Sequence, residues 1–280
     1  MTTNSYAYNK ERFKNFRINC EKCFGFCCVA LYFSASEGFP TDKVAGKPCI
    51  NLKSDFTCLV HNNLRQQGLK GCTAYDCFGA GQKVAQITYK GENWRDSSQL
   101  AREMFDVFLV MRQLHEMLWY LTEASMLESA YSIKEEIDLL IRETEEITNL
   151  SPKDLIELDI VSHREKVNVS LRQASELVKE NFNLKNQKEL SRGKNFIGKK
   201  LKKVNLIGSD LRGALLIAAD LSGNDLSGAN LIGADMRDTD IRGTNLKNSV
   251  FLTQSQINTA KGDINTKLPD SLIRPRYWGK

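Results

Sequence analysis

The spacing of apolar residues changes along the chain, and each spacing predicts a different kind of structure. After Ser97 and Ser98, which can cap a helix, large apolar residues recur at steps of mostly three and four. These residues are Leu100, Met104, Val107, Phe108, Met111, Leu114, Leu118 and Leu121. The pattern is that of a helix face and predicts one well-buried helix of about 28 residues.

Two further helices are predicted after this one. Residues 133–147 form a short acidic amphipathic pattern. Ser151 and Pro152 then provide an N-cap and a proline at the first helical position, so a third helix is expected from there to about Glu180. Three helices joined by short loops predict a small helical bundle, followed by a polar linker at 181–193.

A strict five-residue period begins beyond Gly193. Its large apolar centres are Phe196, Leu201, Leu206, Leu211, Leu216, Leu221, Leu226, Leu231, Met236, Ile241, Leu246 and Phe251. Neither a helix nor a flat strand has this period. The residue two positions before each centre is mostly small, and glycine ends seven of the twelve units, which suits a narrow stack with tight corners.

Residues 194–253 resemble the pentapeptide-repeat family. The resemblance implies a right-handed quadrilateral β-helix, a solenoid of about three coils. Lys194 and Lys199 occupy the small inward position, so the first coil is expected to be open or frayed. Thr253 can cap a short helix, and the tail residues Leu272, Ile273, Pro275 and Trp278 are expected to close the exposed edge.

Outward apolar residues concentrate on two adjoining faces of the repeat. One face carries Ile197, Leu215 and Ile217, and the next carries Ile232, Val250 and Leu252. Such a concentration predicts that both faces are covered, by the helices, the tail or another subunit.

All eight cysteines lie between positions 20 and 77. They are Cys20, Cys23, Cys27, Cys28, Cys49, Cys58, Cys72 and Cys77. A disulfide framework and inert core packing are alternatives, but cysteines confined to one loop-rich segment, in a chain without an export signal, favour metal ligation. His61 is a ninth candidate ligand, with a surface histidine as the equal alternative.

The same segment resembles the putative zinc- or iron-chelating cysteine-cluster family. The resemblance rests on Cys20-x2-Cys23, the vicinal pair Cys27-Cys28, Pro48-Cys49, the run from Cys58 to His61, and Cys72-x4-Cys77. It implies zinc or an iron–sulfur cluster, without deciding between them. Two four-sulfur sites and one cluster with spare thiols are both open, and adjacent Cys27 and Cys28 are expected to point in different directions.

Four segments are therefore predicted: a cysteine-rich metal-binding module at 1–93, the helical bundle and linker at 94–193, the repeat at 194–253, and a capping helix and tail at 254–280. Their Lys/Arg and Asp/Glu counts are 12 and 7 for 1–93, 13 and 19 for 94–193, and 14 and 8 for 194–280. No segment has the dense basic stripe of a nucleic-acid binder. The chain shows no membrane span and no secretory signal, so a cytoplasmic location is expected.

These features predict a cytoplasmic metal-binding pentapeptide-repeat protein that acts as an interaction or scaffold protein. A protein partner is expected, with self-association into a homo-oligomer as one form of it. A redox or electron-transfer role with an iron–sulfur cluster is the first alternative. A topoisomerase-protecting DNA mimic is disfavoured, because 194–253 has 9 basic and 6 acidic residues. The sequence leaves open whether the protein is an enzyme and leans against it: the glycines after Phe78 do not complete a phosphate loop, and Cys58 with His61 suits ligation better than catalysis.

Overall fold

The computed structural model describes residues 11–182 and 194–279, and they form two compact units. The cysteine unit comprises Phe13–Thr122 and Glu135–Val169. Of the described residues, the repeat unit comprises 11–12, Glu123–Lys134, 170–182 and 194–279. The four-segment division made from the sequence remains a prediction, and its linker at 181–193 lies mostly outside the described residues.

The part of the cysteine unit that carries the cysteines has only short elements, as its content of glycine, asparagine and lysine predicts. Its helices are α1 (Phe26–Ala30), α2 (Lys70–Ala74) and α3 (Ala80–Lys83), and α3 continues as a π-helical turn over Val84–Thr88. Its 3-10 turns are Lys14–Phe16, Cys20–Lys22, Ala35–Glu37 and His61–Asn63. Such short elements cannot bury much core by themselves, so side-chain packing around the cysteines must hold them together.

Four longer or better-capped helical elements follow: α4 (Ser98–Ala124), α5 (Lys134–Ile147), α6 (Pro152–Ile156) and α7 (Ile160–Glu180), with a 3-10 turn at Glu128–Ile133. The long helix expected after Ser97 is confirmed as α4, with 27 residues. The single helix expected from Ser151 to about Glu180 is wrong. Ser151 caps α6 as predicted, but the chain leaves helical geometry at 157–159, and Asp159 then accepts hydrogen bonds from Ser162 at the start of α7.

The prediction of a right-handed quadrilateral β-helix is corrected by the structure. Residues 11–182 and 194–279 contain no named strand and no sheet. Each five-residue unit of the repeat contains a two-residue turn. This leaves one residue per unit to form a bridge, and its partner lies about twenty residues further along the chain. The result is a stack of turns joined by isolated parallel bridges, such as Asn195 with Leu215 and Leu215 with Asp235.

The interior of this stack follows the five-residue pattern. The apolar centres from Phe196 to Phe251 are buried. Thr239 and Thr244 fill two of the small positions and donate hydrogen bonds to the carbonyls of Leu216 and Leu221, at 2.7 and 2.9 Å. Most residues at the corners of the repeat are glycines with a positive φ, which glycine adopts without strain. Lys203, Ala218 and Asp238 stand at corners without glycine and also adopt a positive φ.

The two ends of the repeat differ from each other. At the start of the repeat, Asn195 bridges to Leu215 and Lys200 bridges to Asp220, so the expectation of a frayed start is wrong. At the other end, α8 (Gln254–Thr259) begins with a capping box between Thr253 and Gln256, as predicted. Lys261 and Lys267 then bridge to the last turns. The tail ends in a 3-10 turn at Arg276–Gly279.

The closing role expected of the tail residues is mostly confirmed. Leu272, Pro275 and Trp278 are buried, whereas Ile273 is 56% exposed. The prediction that the two outward apolar faces are covered is also confirmed only in part. Val250 and Leu252 are buried, as expected, but Leu215 is 39% exposed and Ile197 is 49% exposed, so that face is left open within the described residues and its cover by another subunit stays a prediction.

Candidate metal centre

One cavity of about 80 Å³ in the cysteine unit is lined by every cysteine of the chain. His61 contributes to the same wall, together with apolar residues that include Phe33, Phe39 and Phe108. All eight cysteines lie in the described part of the chain and are free thiols there, so the structure holds no disulfide framework. Segments far apart in sequence thus place their thiols around one space.

Short local elements position the first five cysteines. Cys20 and Cys23 lie at the two ends of the 3-10 turn Cys20–Lys22. Cys27 and Cys28 lie on α1, and the backbone N–H of Cys49 donates to the carbonyl of Cys28 at 2.8 Å. That hydrogen bond joins the Cys49 loop directly to α1.

The side chains of α3 and its π-helical extension hold the segment that contains Cys20 and Cys23. Gln82 accepts a hydrogen bond from the backbone N–H of Asn19 at 2.7 Å and donates one to the carbonyl of Arg17 at 3.1 Å. Gln86 donates to the carbonyl of Lys22 at 3.1 Å. The N-terminal cysteines are therefore fixed against the helix that follows Cys77.

Gly81 leaves the space that the thiol of Cys23 occupies. A Cβ atom at position 81 would lie 2.5 Å from Cys23 Sγ, which is closer than real Cβ atoms approach other heavy atoms. The glycine that looked like part of a failed phosphate loop thus has a packing reason.

Backbone N–H groups point at four of the sulfur atoms. Cys23 accepts from Gly25 and Phe26, Cys58 from Val60 and His61, and Cys77 from Gly79 and Gly81. The N–H of Asn51 lies 3.5 Å from Cys49 Sγ. Successive N–H groups of this kind form an anion-binding concavity, and hydrogen bonds to sulfur tune thiolate–metal sites.

Burial has the opposite effect on these thiols. It raises the pKa of Cys23 to about 11 and the pKa of Cys77 and Cys72 to about 12. Neighbouring thiolates add to the rise, because like charges repel in a site of low dielectric constant. The thiols are therefore protonated at neutral pH unless a cation compensates for their charge.

The vicinal pair is more compact than the sequence predicts. Cys27 Sγ and Cys28 Sγ lie 4.0 Å apart, so the expectation that they point in different directions is wrong. The tight first turn of α1 brings the two sulfurs together.

Two residues beside the thiols, Lys43 and Tyr75, were not predicted from the sequence. Lys43 is buried, its Nζ donates to the carbonyls of Val29 and Leu31, and it interacts electrostatically with Cys49 and Cys28. Desolvation lowers the pKa of Lys43, while the thiolates oppose that effect. Tyr75 Oη borders the cavity, is buried, and has no hydrogen-bond partner in the described ranges. Neither residue carries a sequence signal that separates it from an ordinary surface lysine or core tyrosine.

The histidines behave differently from one another. His61 is exposed at the start of its 3-10 turn although it borders the cavity, so its role as a ninth ligand stays a prediction. His115 is buried on α4 with Nδ1 2.8 Å from the carbonyl of Phe78, and burial lowers its pKa to about 4. His163 is buried on α7 against Thr144. His115 and His163 are helix residues without a part in the cavity, as expected.

The sulfur atoms are gathered but not yet in ligand geometry. Within residues 11–182 and 194–279, no three His, Cys, Asp or Glu side chains surround a common point closely enough to hold an ion. Ligation therefore requires the thiols to move closer together than they lie here. The donor set, eight soft sulfurs with N–H groups behind them, fits zinc or an iron–sulfur cluster.

Comparison with known proteins places the chain in a family. The model for pentapeptide repeats matches eight copies over residues 214–251. The chain is also 52% identical to the uncharacterized protein YybG of Bacillus subtilis (strain 168). The aligned 261 residues cover 93% of this chain and 94% of YybG. The chain belongs to the YybG family and carries pentapeptide repeats. No solved structure matches it.

The match to YybG extends over most of this pentapeptide-repeat protein and so includes both the cysteine unit and the repeat unit. No family model matches the cysteine segment, so its likeness to the cysteine-cluster family remains a prediction. Across the described ranges, no helix of the protein combines the length and the apolarity that a bilayer span needs.

Proposed function

We propose that the cysteine unit binds zinc or iron through its thiolates and that the protein is a cytoplasmic interaction or scaffold protein. The observation that supports metal binding is the convergence of all eight cysteines on one small cavity. Cysteines that only fill space have no reason to line one cavity from distant parts of a segment, whereas metal ligands must lie around a common space. The free thiols and the N–H groups directed at sulfur support the same proposal.

Metal binding also gives the cysteine segment a source of stability. Its longest helical stretch, α3 with its π-helical continuation, runs only over residues 80–88, and its other α-helices have five residues. Metal affinity adds directly to the free energy of folding when the site exists only in the folded state. A closed thiolate site would therefore add stability to a segment that is built from short elements.

The interaction role rests on the repeat unit. Leu215 and Ile197 are both exposed, and they lie near each other on the repeat because Leu215 bridges to Asn195, two residues before Ile197. A patch of this kind favours a protein partner, because exposed aliphatic side chains gain free energy when a second surface covers them. Residues 194–253 have no dense basic stripe, so nucleic acid is not the favoured partner.

The decisive experiment is anaerobic purification of the full chain followed by elemental analysis and absorption spectroscopy. Zinc with a colourless protein supports a structural module. Iron with acid-labile sulfide and visible absorption supports the redox alternative. A chain without stoichiometric metal, after supply of both metals during expression, contradicts the proposal.

A matched pair of variants separates ligation from surface chemistry. Replacing Cys49 with serine removes one thiol from the cavity, and the metal content is expected to fall. The control is Ile50→Ser, at the neighbouring position, where the side chain is 80% exposed. The control should keep the metal content of the unmodified chain.

A further inference from the structure

A second, wider cavity of about 940 Å³ lies in the cysteine unit, beside the cavity that the eight cysteines line. Residues from the segments 14–22 and 53–62 and the side chain of Gln82 form this basic cleft. Glu21 is the only acidic residue among the described residues that line it, whereas four are cationic: Lys14, Arg17, Lys22 and Lys53. We propose that the basic cleft binds a small anion that carries two or more negative charges on carboxylate or phosphate groups. This inference goes beyond metal binding and does not depend on which metal the protein takes.

The charges of the basic cleft favour an anion. Lys22 is exposed, and no ion pair within the described residues engages its ammonium group. Lys53 Nζ lies 3.1 Å from Asp55 Oδ2, but both side chains are exposed, so water screens that pair. A cleft lined mainly by one sign of charge concentrates ions of the opposite sign. The same field repels a hydrated metal cation, so the basic cleft is not suited to admit a bare metal ion.

Hydrogen bonds fix the backbone of both walls of the basic cleft. On one wall, Gln82 accepts from the N–H of Asn19 at 2.7 Å and donates to the carbonyl of Arg17 at 3.1 Å. On the other wall, Asp55 accepts from the backbone N–H and the hydroxyl of Thr57, at 2.9 and 2.6 Å. The cationic side chains therefore stand on ordered backbone, which lowers the entropy that is lost when a ligand binds.

The basic cleft shares part of its wall with the cavity that the cysteines line. Six residues border both spaces: Ile18, Asn19, Cys20, Cys58, His61 and Gln82. His61 is exposed there, and a ring N–H can donate to a carboxylate or phosphate oxygen. Asn15 and Asn62 add exposed amide donors to the same lining. An anion in the basic cleft thus lies against the side of the cysteine cavity that Cys20 and Cys58 form.

The size and the lining of the basic cleft favour a small anion over a nucleic acid. Its volume lies within the range of about 300–1,000 Å³ that is usual for small-molecule sites. The guanidinium group of Arg17 can bind a carboxylate or phosphate group through two parallel hydrogen bonds, and the lysines add point charges. The described residues of the lining include no Phe, Tyr or Trp on which a base could stack. A polycarboxylate or a phosphate compound with little apolar surface fits this lining.

The test is a calorimetric titration of the full chain, as purified, at low ionic strength. The probes are tricarballylate, which is a tricarboxylate that chelates metals weakly, inorganic phosphate, and acetate for comparison. Tricarballylate or phosphate should bind at least about tenfold more tightly than acetate, and the better of the two identifies a carboxylate or a phosphate ligand. Equally weak binding of all three overturns the proposal, and so does a single-stranded oligonucleotide that binds more tightly than both. Metal content is measured separately, so failure here leaves the proposed metal binding intact.

Two adjacent residues of opposite charge provide matched variants. Lys22→Gln should weaken binding of the better probe at least about threefold, whereas Glu21→Gln should tighten it. Both side chains are exposed, so both variants should fold. The control is Lys47→Gln, because Lys47 is an exposed lysine of the same unit that does not line the basic cleft. The control should keep the affinity of the unmodified chain. Equal weakening by Lys22→Gln and Lys47→Gln would mean attraction to overall positive charge and would overturn the site.

Discussion

Glu123 Oε1 accepts a hydrogen bond from the backbone N–H of Phe251 at 2.8 Å, which joins the end of α4 to the last apolar centre of the repeat. The other oxygen, Oε2, is buried and has no hydrogen-bond partner in the described part of the chain. Burial raises the pKa of Glu123 to about 8, although the hydrogen bond from Phe251 lowers it. The carboxyl group therefore holds its proton at neutral pH.

A protonated carboxyl at this position links the stability of the repeat unit to pH. The folded state binds the proton more tightly than the unfolded state, whose value is near 4.5. The free energy of unfolding should then decrease as pH rises from about 4.5 through about 8, by about 1.4 kcal/mol per unit of pKa difference at most. In Glu123→Gln this decrease should be largely absent, because the amide keeps an acceptor for Phe251 and cannot ionise.

Urea unfolding between pH 5 and pH 9, followed separately for the repeat unit by hydrogen exchange, measures this effect. Glu128→Gln is the control, because Glu128 is exposed in the same unit. If Glu123→Gln shows the same pH slope as the unmodified chain, the burial of the carboxyl is not linked to stability.

The alternation of buried and exposed residues in the repeat gives a second prediction. Leu216 is fully buried, whereas its neighbour Leu215 is 39% exposed. Leu216→Ala should lower the free energy of unfolding by about 2–5 kcal/mol, because it leaves a cavity in the interior of the repeat. Leu215→Ala should lower it by less than about 1 kcal/mol, and equal effects in denaturant unfolding would contradict the inward position of Leu216.

The repeat also shows how far the sequence could lead. The twelve apolar centres and the capping helix at Thr253 could be predicted because period and capping are local signals. The absence of named strands could not, because the number of residues left to pair between successive turns depends on turn geometry. The break between α6 and α7 was missed for a related reason: Asp159 can occupy a helix interior or cap a new helix, and only the hydrogen bonds to Ser162 decide between the two.

The candidate site could be predicted as a set of residues but not as an arrangement. The confinement of eight cysteines to one segment indicated ligands, and the structure places all of them around one cavity. Their placement around it depends on long-range packing of α1, α3 and the Cys49 loop. Lys43 and Tyr75 were missed because burial of a polar side chain is a tertiary property.

Gly81 permits a test of the cavity that removes no ligand. Gly81→Ala would bring a methyl group against Cys23 Sγ, so the sulfur must move by several tenths of an ångström or more. Metal affinity measured by competition with a chromogenic chelator should fall at least tenfold. The control is Gly279→Ala, whose added Cβ meets nothing within 4 Å. Unchanged affinity in Gly81→Ala would show that Cys23 is not a ligand.

The raised thiol pKa values give the last prediction, which concerns protons. With the pKa of Cys23 near 11 and those of Cys72 and Cys77 near 12, these groups carry their protons at pH 7 and must release them when a metal binds. Zinc affinity should therefore rise steeply between pH 6 and pH 8, with release of up to about four protons per ion. Calorimetric titrations in two buffers of different ionisation enthalpy measure that number directly. Release of less than one proton per ion would mean that the metal binds through groups other than these thiols. In Leu59→Ser, which alters a 69% exposed side chain beside Cys58, proton release should match that of the unmodified chain, whereas in Cys58→Ser it should fall by about one.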